Sequence, residues 1–464
     1  MRDQLPSMDI PMHTDSPALH AAPLARPLAR APALALAAAM ALGLAFSTSA
    51  QALDFGPFTL TGFAKAEAQR GSNHCPNCGV NPGEDKQRVW ADPVVFGSHF
   101  GSETTHVTLV QPWLGVKFDL PKGFKVGGLI SQRWRDGKLD IPGFWYDKNV
   151  YVSQDDWGSV RVGSMTSRTW SVADYPYGTN IGVADVWGSS GAGYGLLGHA
   201  VRVTTRTLDV LNGDLVLEAT HDKGTPGWVK NKPRFLELYA QYHKGDLVVD
   251  AMYQDTRNGT PSAWSHGPFT GLTPFPADDR KLGSSGQSIA MVMGRYQLDV
   301  KFEVSAGLRR NRWSGAYAAI TQAAPGQPDQ WNNMFNVDWN CSVDRPVRCS
   351  IANPGYPAHS TDLMLGLRYR VGPWSASTGL AYLGKASTAN PSERGQSNDA
   401  LVNTLGLNYD FGNGLQVYGL AGMVRYGRLG LSPLSMPGNA AFTNVDSRIS
   451  THGNWFGAGA VFVF

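Results

Sequence analysis

The strongest constraint on this chain is an apolar/polar alternation of period two that recurs from Pro57 to the last residue. In VKFEVSAGLRR, Val300, Phe302, Val304, Ala306 and Leu308 share one face, while Lys301, Glu303, Ser305 and Arg309 share the other. In FLELYAQYH, Leu236, Leu238, Ala240 and Tyr242 alternate with Glu237, Gln241 and His243. DLMLGLRYR repeats the pattern, with Leu363, Leu365, Leu367 and Tyr369 against Asp362, Arg368 and Arg370. Successive strand side chains point to opposite sides, so each run is a strand with one apolar and one polar face.

Two kinds of connection take turns between the runs. The tight ones are LPKG (120–123), DWG (156–158), NGD (212–214), KGD (244–246), QLD (297–299), VGP (371–373) and GNG (412–414). Most of them place Gly or Asn where a hairpin needs positive φ. The long polar ones fall near 70–104, 136–145, 169–197, 223–232, 257–286, 313–360, 386–399 and 428–450. Seven short and eight long connections join sixteen strands. Strands of about ten residues, apolar outside and polar inside, with short turns at one rim and long loops at the other, are the pattern of an outer-membrane barrel. A soluble sandwich also alternates, but it has no reason to place every long loop at alternate connections and it keeps open edges. The expected fold is therefore all-β, a 16-stranded antiparallel transmembrane barrel with short periplasmic turns and long extracellular loops.

The chain ends NWFGAGAVFVF. Phe456, Ala458, Ala460, Phe462 and Phe464 form one apolar face, and the other face is uncharged. As an exposed edge this segment would invite aggregation. Composition agrees with strands and turns, with 53 Gly, 11% aromatic and only 17% charged residues. Trp134, Tyr369, Trp374, Tyr409, Tyr418 and Trp455 cluster at run ends, as headgroup girdles do.

Near the amino end, Arg26 and Arg30 precede the apolar run APALALAAAMALGLAF (31–46) and an Ala50-Gln51-Ala52 site. This reads as a secretory signal cut after Ala52, because 16 apolar residues fall short of the roughly 20 a membrane helix needs. The expected organisation is a cleaved signal over 1–52 and a barrel over 53–464. A net charge of +3 gives no nucleic-acid surface.

The signal ending AQA, the opening LDFGPFTLTGFAKAEAQ, the segment KNVYVSQDDWGSVRVGSMTSRTW and the closing GAGAVFVF together resemble the Gram-negative general porins. These are sixteen-stranded and usually trimeric. The resemblance covers 53–464, with departures at the cysteine-bearing first loop and the long 313–360 loop. It implies a water-filled outer-membrane channel for small hydrophilic solutes and ions, in contact with outer-membrane lipid and lipopolysaccharide, assembled as a homotrimer, with no cofactor.

The resemblance also implies that the third loop, 169–197, folds inward and narrows the pore. That loop carries Asp174 and Asp185 and neither Lys nor Arg. Wall partners that the alternation turns inward are Lys65, Arg133, Arg135, Arg161, Arg202, Arg206, Arg309 and Arg368, of which Arg202 resembles the family's arginine at the start of the sixth strand. Opposed charges across water give a transverse field, and the surplus of inward basic residues suggests a mild anion preference. Tyr175, Tyr177, Trp187 and Tyr194 either pin the loop to the wall or offer a stacking surface for sugars or aromatic acids, which would make the channel substrate-selective.

Cys75, Cys78, Cys341 and Cys349 lie in expected surface loops of an exported chain and read as two local disulfides. CPNCG beside His74 looks like half of a zinc knuckle, but the second pair lacks the spacing of the other half. The glycine-rich GYGLLG (193–198) lacks the strand and helix that give a dinucleotide motif its mechanism, and the common catalytic signatures are missing. A barrel lipase, which needs no wide lumen, and a surface receptor are the competing readings.

Overall fold

The computed structural model describes residues 52–72, 104–139, 145–168, 193–194, 196–223, 234–257, 265–266, 285–315, 319–321, 330–332, 358–384, 387–388, 400–426 and 452–464. Sixteen strands form one closed antiparallel ring. In chain order they are β1 (Phe58–Ser72), β2 (Thr104–Asp119), β3 (Phe124–Ser131), β4 (Asp147–Gln154), β5 (Gly158–Thr166), β6 (Leu196–Thr205), β7 (Gly213–Asp222) and β8 (Arg234–Lys244). They continue as β9 (Leu247–Arg257), β10 (Ser285–Gln297), β11 (Phe302–Gly315), β12 (Ala358–Val371), β13 (Trp374–Leu383), β14 (Ala400–Asp410), β15 (Leu415–Tyr426) and β16 (His452–Val463). Each pairs with the next, and β16 pairs back onto β1 from Phe63 opposite Val463 to Ser72 opposite Asn454. The seam continues past the last strand residue, where Gly62 N–H donates to the Phe464 carbonyl at 2.7 Å and Phe464 N–H to the Gly62 carbonyl at 3.0 Å. Closure is what lets a sheet cross lipid, since an open edge would leave peptide groups unpaired where no water can reach them.

The seven expected tight turns all lie at one rim. Asn212, at φ 59°, takes the left-handed conformation that its hairpin requires. Asp299 closes the β10–β11 turn by accepting from Lys301 N–H at 2.6 Å and Phe302 N–H at 2.8 Å. Apart from one 3-10 turn at Pro121–Gly123, the described elements are strands.

Most outward positions are apolar. Val150 is 65% exposed, Leu365 58% and Leu405 53%, which is tolerable only against hydrocarbon. At the short-turn rim, the Phe302 and Tyr369 rings sit 4.8 Å apart and Trp374 and Tyr409 also 4.8 Å apart, forming part of an aromatic girdle. Tyr418 does not belong to it. Its side chain is buried on the inner side, where its ring covers Gly459 and its hydroxyl donates to Glu67. A strand-end tyrosine reads as girdle from sequence, but the parity of β15 turns this one inward.

One irregularity interrupts the ladder. Between Leu197 and Ala200 the register of β6 against β5 shifts, as in a β-bulge. The freed His199 N–H donates to the buried Asp222 carboxylate at 2.9 Å, and Ser164 Oγ donates to the Gly198 carbonyl at 3.2 Å. Gly163, at φ 129°, is required opposite, because a Cβ there would stand 2.3 Å from the Lys148 carbonyl. The bulge lies at the start of β6.

Candidate functional site: the charged inner wall

Since the ring is closed, the second face of every strand has only the lumen to look into. A continuous polar belt results across β4 to β9. Asp147 Oδ2 accepts from Trp113 Nε1 at 3.1 Å and Asp147 Oδ1 from Asn149 Nδ2 at 3.3 Å. Arg161 Nη1 in turn donates to Asn149 Oδ1 at 2.7 Å, and its guanidinium lies over the Tyr151 ring, 5.0 Å from the centroid.

Arg168, just beyond β5, turns back against the wall. Both Nε and Nη2 donate to the Glu218 carboxylate, its backbone N–H donates to Glu237 Oε1 at 2.8 Å, and its guanidinium lies 5.1 Å over Tyr239. Arg202 sits beside it, donating from Nε to Thr220 Oγ1 at 2.9 Å and from Nη2 to the Thr166 carbonyl at 2.7 Å. Its nitrogens stand 3.8 Å from Glu218 and 3.9 Å from Glu237. Two guanidiniums thus share two carboxylates at the root of the third loop. The belt continues through Gln254, which donates to Glu237 at 3.0 Å, and through Tyr239 and Gln241, which both donate to Asp250.

Three further charge groups line the remaining strands. Lys65 lies 2.9 Å from Glu67, and Arg309 lies 2.8 Å from Asp362. Arg368 and Arg370 converge on Glu303 at 2.8 and 3.3 Å. Between these, inward positions of β9, β10 and β12 hold Met252, Met291, Met293 and Met364, all buried.

Of the eight basic residues expected on the wall, Lys65, Arg202, Arg309 and Arg368 are buried in ion pairs, and Arg161 is half-buried in the belt. Arg133 is half-buried too, donating from Nε to Gln111 Oε1 at 2.8 Å and lying 4.5 Å over Tyr146. Arg135 pairs opposite the inward Leu109. Arg206 is exposed at the short-turn rim, its N–H bonded to the Trp157 carbonyl at 3.0 Å. Asp174, Asp185, Tyr175, Tyr177 and Trp187 lie outside the described residues, as do Cys75, Cys78, Cys341 and Cys349. Tyr194 belongs to a two-residue strand whose backbone pairs with Ser265–His266.

Arg168 is the functional-site residue that sequence reasoning missed. It stands one residue before the loop, and nothing in its spacing marks it out. Its signal was indirect, in the inward Glu218 and Glu237, which as buried carboxylates require a nearby cation.

The acids of this wall are more deeply buried than several of its bases. Glu237 is 1% exposed, Asp250 2% and Asp362 0%, whereas Arg133, Arg135, Arg161 and Arg168 are half-buried. Lys65, Arg202, Arg309 and Arg368, by contrast, are as buried as the carboxylates they pair with.

A family model described as Gram-negative porin matches residues 35–429. No curated protein matches the sequence. Among solved structures, the chain is similar to the outer-membrane expressed OmpT of Vibrio cholerae, at 12% identity and a TM-score of 0.53, covering 89% of this chain and 100% of that one. It is likewise similar to an anion-selective porin from Comamonas acidovorans, at 12% identity and 0.50, covering 88% and 99%. A third is the outer membrane channel DcaP of Acinetobacter baumannii, at 13% and 0.50, covering 88% and 97%. At these identities the likeness is one of fold.

Proposed function

The chain belongs to the Gram-negative porin family, and we propose that it is a passive outer-membrane diffusion channel for small hydrophilic solutes and ions, mildly preferring anions. The observation that carries this reading is the division of one closed sheet, apolar on its outside and charged on its inside. Sixteen strands enclose more space than side chains fill, so water occupies the middle. The anion preference is supported by Arg133, Arg161 and Arg168 being more exposed than the wall carboxylates Glu218, Glu237 and Asp250. Asp174 and Asp185 on 169–197 would oppose them across the water.

The wider reading includes a cleaved signal over 1–52, a homotrimeric assembly and two local disulfides. Single-channel recording of the purified, reconstituted protein tests the channel itself. Reversal potentials across a potassium chloride gradient test the preference, and clear cation selectivity overturns it.

A second reading, selectivity for organic acids or sugars, is favoured by the arginines lying over the Tyr146 and Tyr151 rings. A guanidinium held over a ring offers its donor fork to a carboxylate. Current block by a small organic acid at micromolar concentration supports this reading over passive diffusion, and unblocked current at millimolar concentration excludes it.

A further inference from the structure

The inner wall holds one group of side chains that its ion pairs do not account for. Asp250 and Met252 on β9 stand directly opposite Met293 and Met291 on β10, and all four are buried on the inner side. Facing residues on paired strands have Cβ atoms about 4.5–5.5 Å apart, and same-face neighbours along a strand are roughly 7 Å apart, so three thioethers and one carboxylate share a small square. Across the ladder, Met293 is followed by Gly307 on β11 and then by Met364 on β12. The glycine places no side chain between the two methionines. Asp250 and these four methionines are at most 5% exposed.

Asp250 is what separates the group from ordinary packing. Glu67, Glu218, Glu237, Glu303 and Asp362 each stand no more than 3.9 Å from a basic nitrogen. Among the described residues Asp250 forms no ion pair, and its donors are the neutral Tyr239 hydroxyl and the Gln241 amide, the latter at 2.9 Å. Both reach Oδ1, and Oδ2 accepts from no described residue. Buried charges are paired or coordinate metals. Packing explains the methionines, but it gives no reason for a carboxylate without a cation beside them. Thioether sulfur is a soft donor that carries no proton, and it selects cuprous copper over magnesium or calcium, which take oxygen. One carboxylate neutralises one monovalent ion.

We propose that Met252, Met291, Met293 and Asp250 form a binding site for a soft monovalent cation, cuprous copper, on the inner wall. Met364 stands by as a further thioether. The ion arrives from the lumen already reduced, so binding moves neither an electron nor a proton. The proposal goes beyond the channel reading and does not depend on which solutes pass.

The test is isothermal titration of the refolded full-length barrel in detergent with silver nitrate, silver(I) standing in for cuprous copper because it does not reoxidise. The buffer is chloride-free, and any free thiol is first alkylated with iodoacetamide. One tightly bound silver ion per barrel is expected. M252L/M291L, a volume-conserving exchange, should weaken it about a hundredfold, and D250N about tenfold, the equivalents of about 2.8 and 1.4 kcal/mol. Far-UV circular dichroism and heat-modifiable gel migration show that each variant folds, and M293L, with an expected loss of about tenfold, takes the place of the double variant if that one does not. Equal silver binding by the parent and the methionine variants overturns the site. Parental affinity in D250N overturns the carboxylate's share in it, and zinc bound as tightly as silver overturns the assignment to a soft cation. Conductance plays no part in these readouts, so failure of the site and failure of the channel reading remain distinct.

Discussion

Arg309 on β11 and Asp362 on β12 face each other inside the barrel, with Nη2 2.8 Å from Oδ2 and both residues fully buried. Nε donates to the same oxygen at 2.9 Å, while the other carboxylate oxygen accepts from Gly384 N–H at 3.0 Å. Removing one partner strands a buried charge, which costs about 3–5 kcal/mol, whereas replacing both with apolar side chains of similar volume is often nearly neutral. D362A is expected to lower the urea midpoint of the vesicle-inserted barrel strongly, and R309M/D362L to recover most of the loss. If the double variant is as weak as D362A, the pair contributes more than mutual compensation.

Arg161 is half-buried beside the lumen, held by Asn149 and Tyr151. Reversing its charge places a carboxylate where a guanidinium stood and inverts the local potential. R161E is expected to shift the reversal potential toward cation preference, and R206E, at the exposed rim, to shift it far less. Equal shifts would mean that the narrow zone lies elsewhere.

The Tyr418 ring covers Gly459, where an added Cβ would stand 2.5 Å from the tyrosine oxygen and 2.8 Å from the Ala66 carbonyl. Such overpacking costs about 1–3 kcal/mol. G459A should destabilise the β15–β16–β1 seam by that amount, and Y418A/G459A should cost less than the sum of the two single changes. Y418F keeps the ring but removes the donor to Glu67 and should cost about 1–3 kcal/mol. Equilibrium unfolding of these variants and of Y418A checks this.

Two amide N–H groups, Phe302 and Lys301, hold the exposed Asp299 carboxyl below the usual carboxylate range. A depressed folded value favours the turn above the unfolded pKa of about 3.9, and this contribution disappears as pH falls through the lower folded value. Hydrogen exchange at the Lys301 and Phe302 amides should therefore accelerate, beyond its intrinsic pH trend, in that acid window. D299N should remove the extra dependence. An identical profile in parent and variant would show that the carboxyl does not hold the turn.

The architecture was legible because its signal is local. Which face Glu303 or Leu365 takes depends only on parity within its own strand, and each tight turn declares itself through a few residues such as NGD at 212–214. Counting turns and loops was enough to count the strands. The same parity put Lys65, Arg202, Arg309 and Arg368 inside.

What remained illegible was which charge meets which. Arg309 and Asp362 lie 53 residues apart, and Tyr418 and Glu67 lie 351 apart on opposite sides of the closing seam. Such meetings are set by inter-strand register and by closure of the ring. Arg168 became part of the site because, just past the end of β5, it lies against Glu218 and Glu237 of β7 and β8. By itself the sequence determined the strands, their inward faces and the barrel they must close, because alternation is a property of each strand alone. Only the tertiary structure decided the partners, because the ring must close before residues hundreds of positions apart can touch.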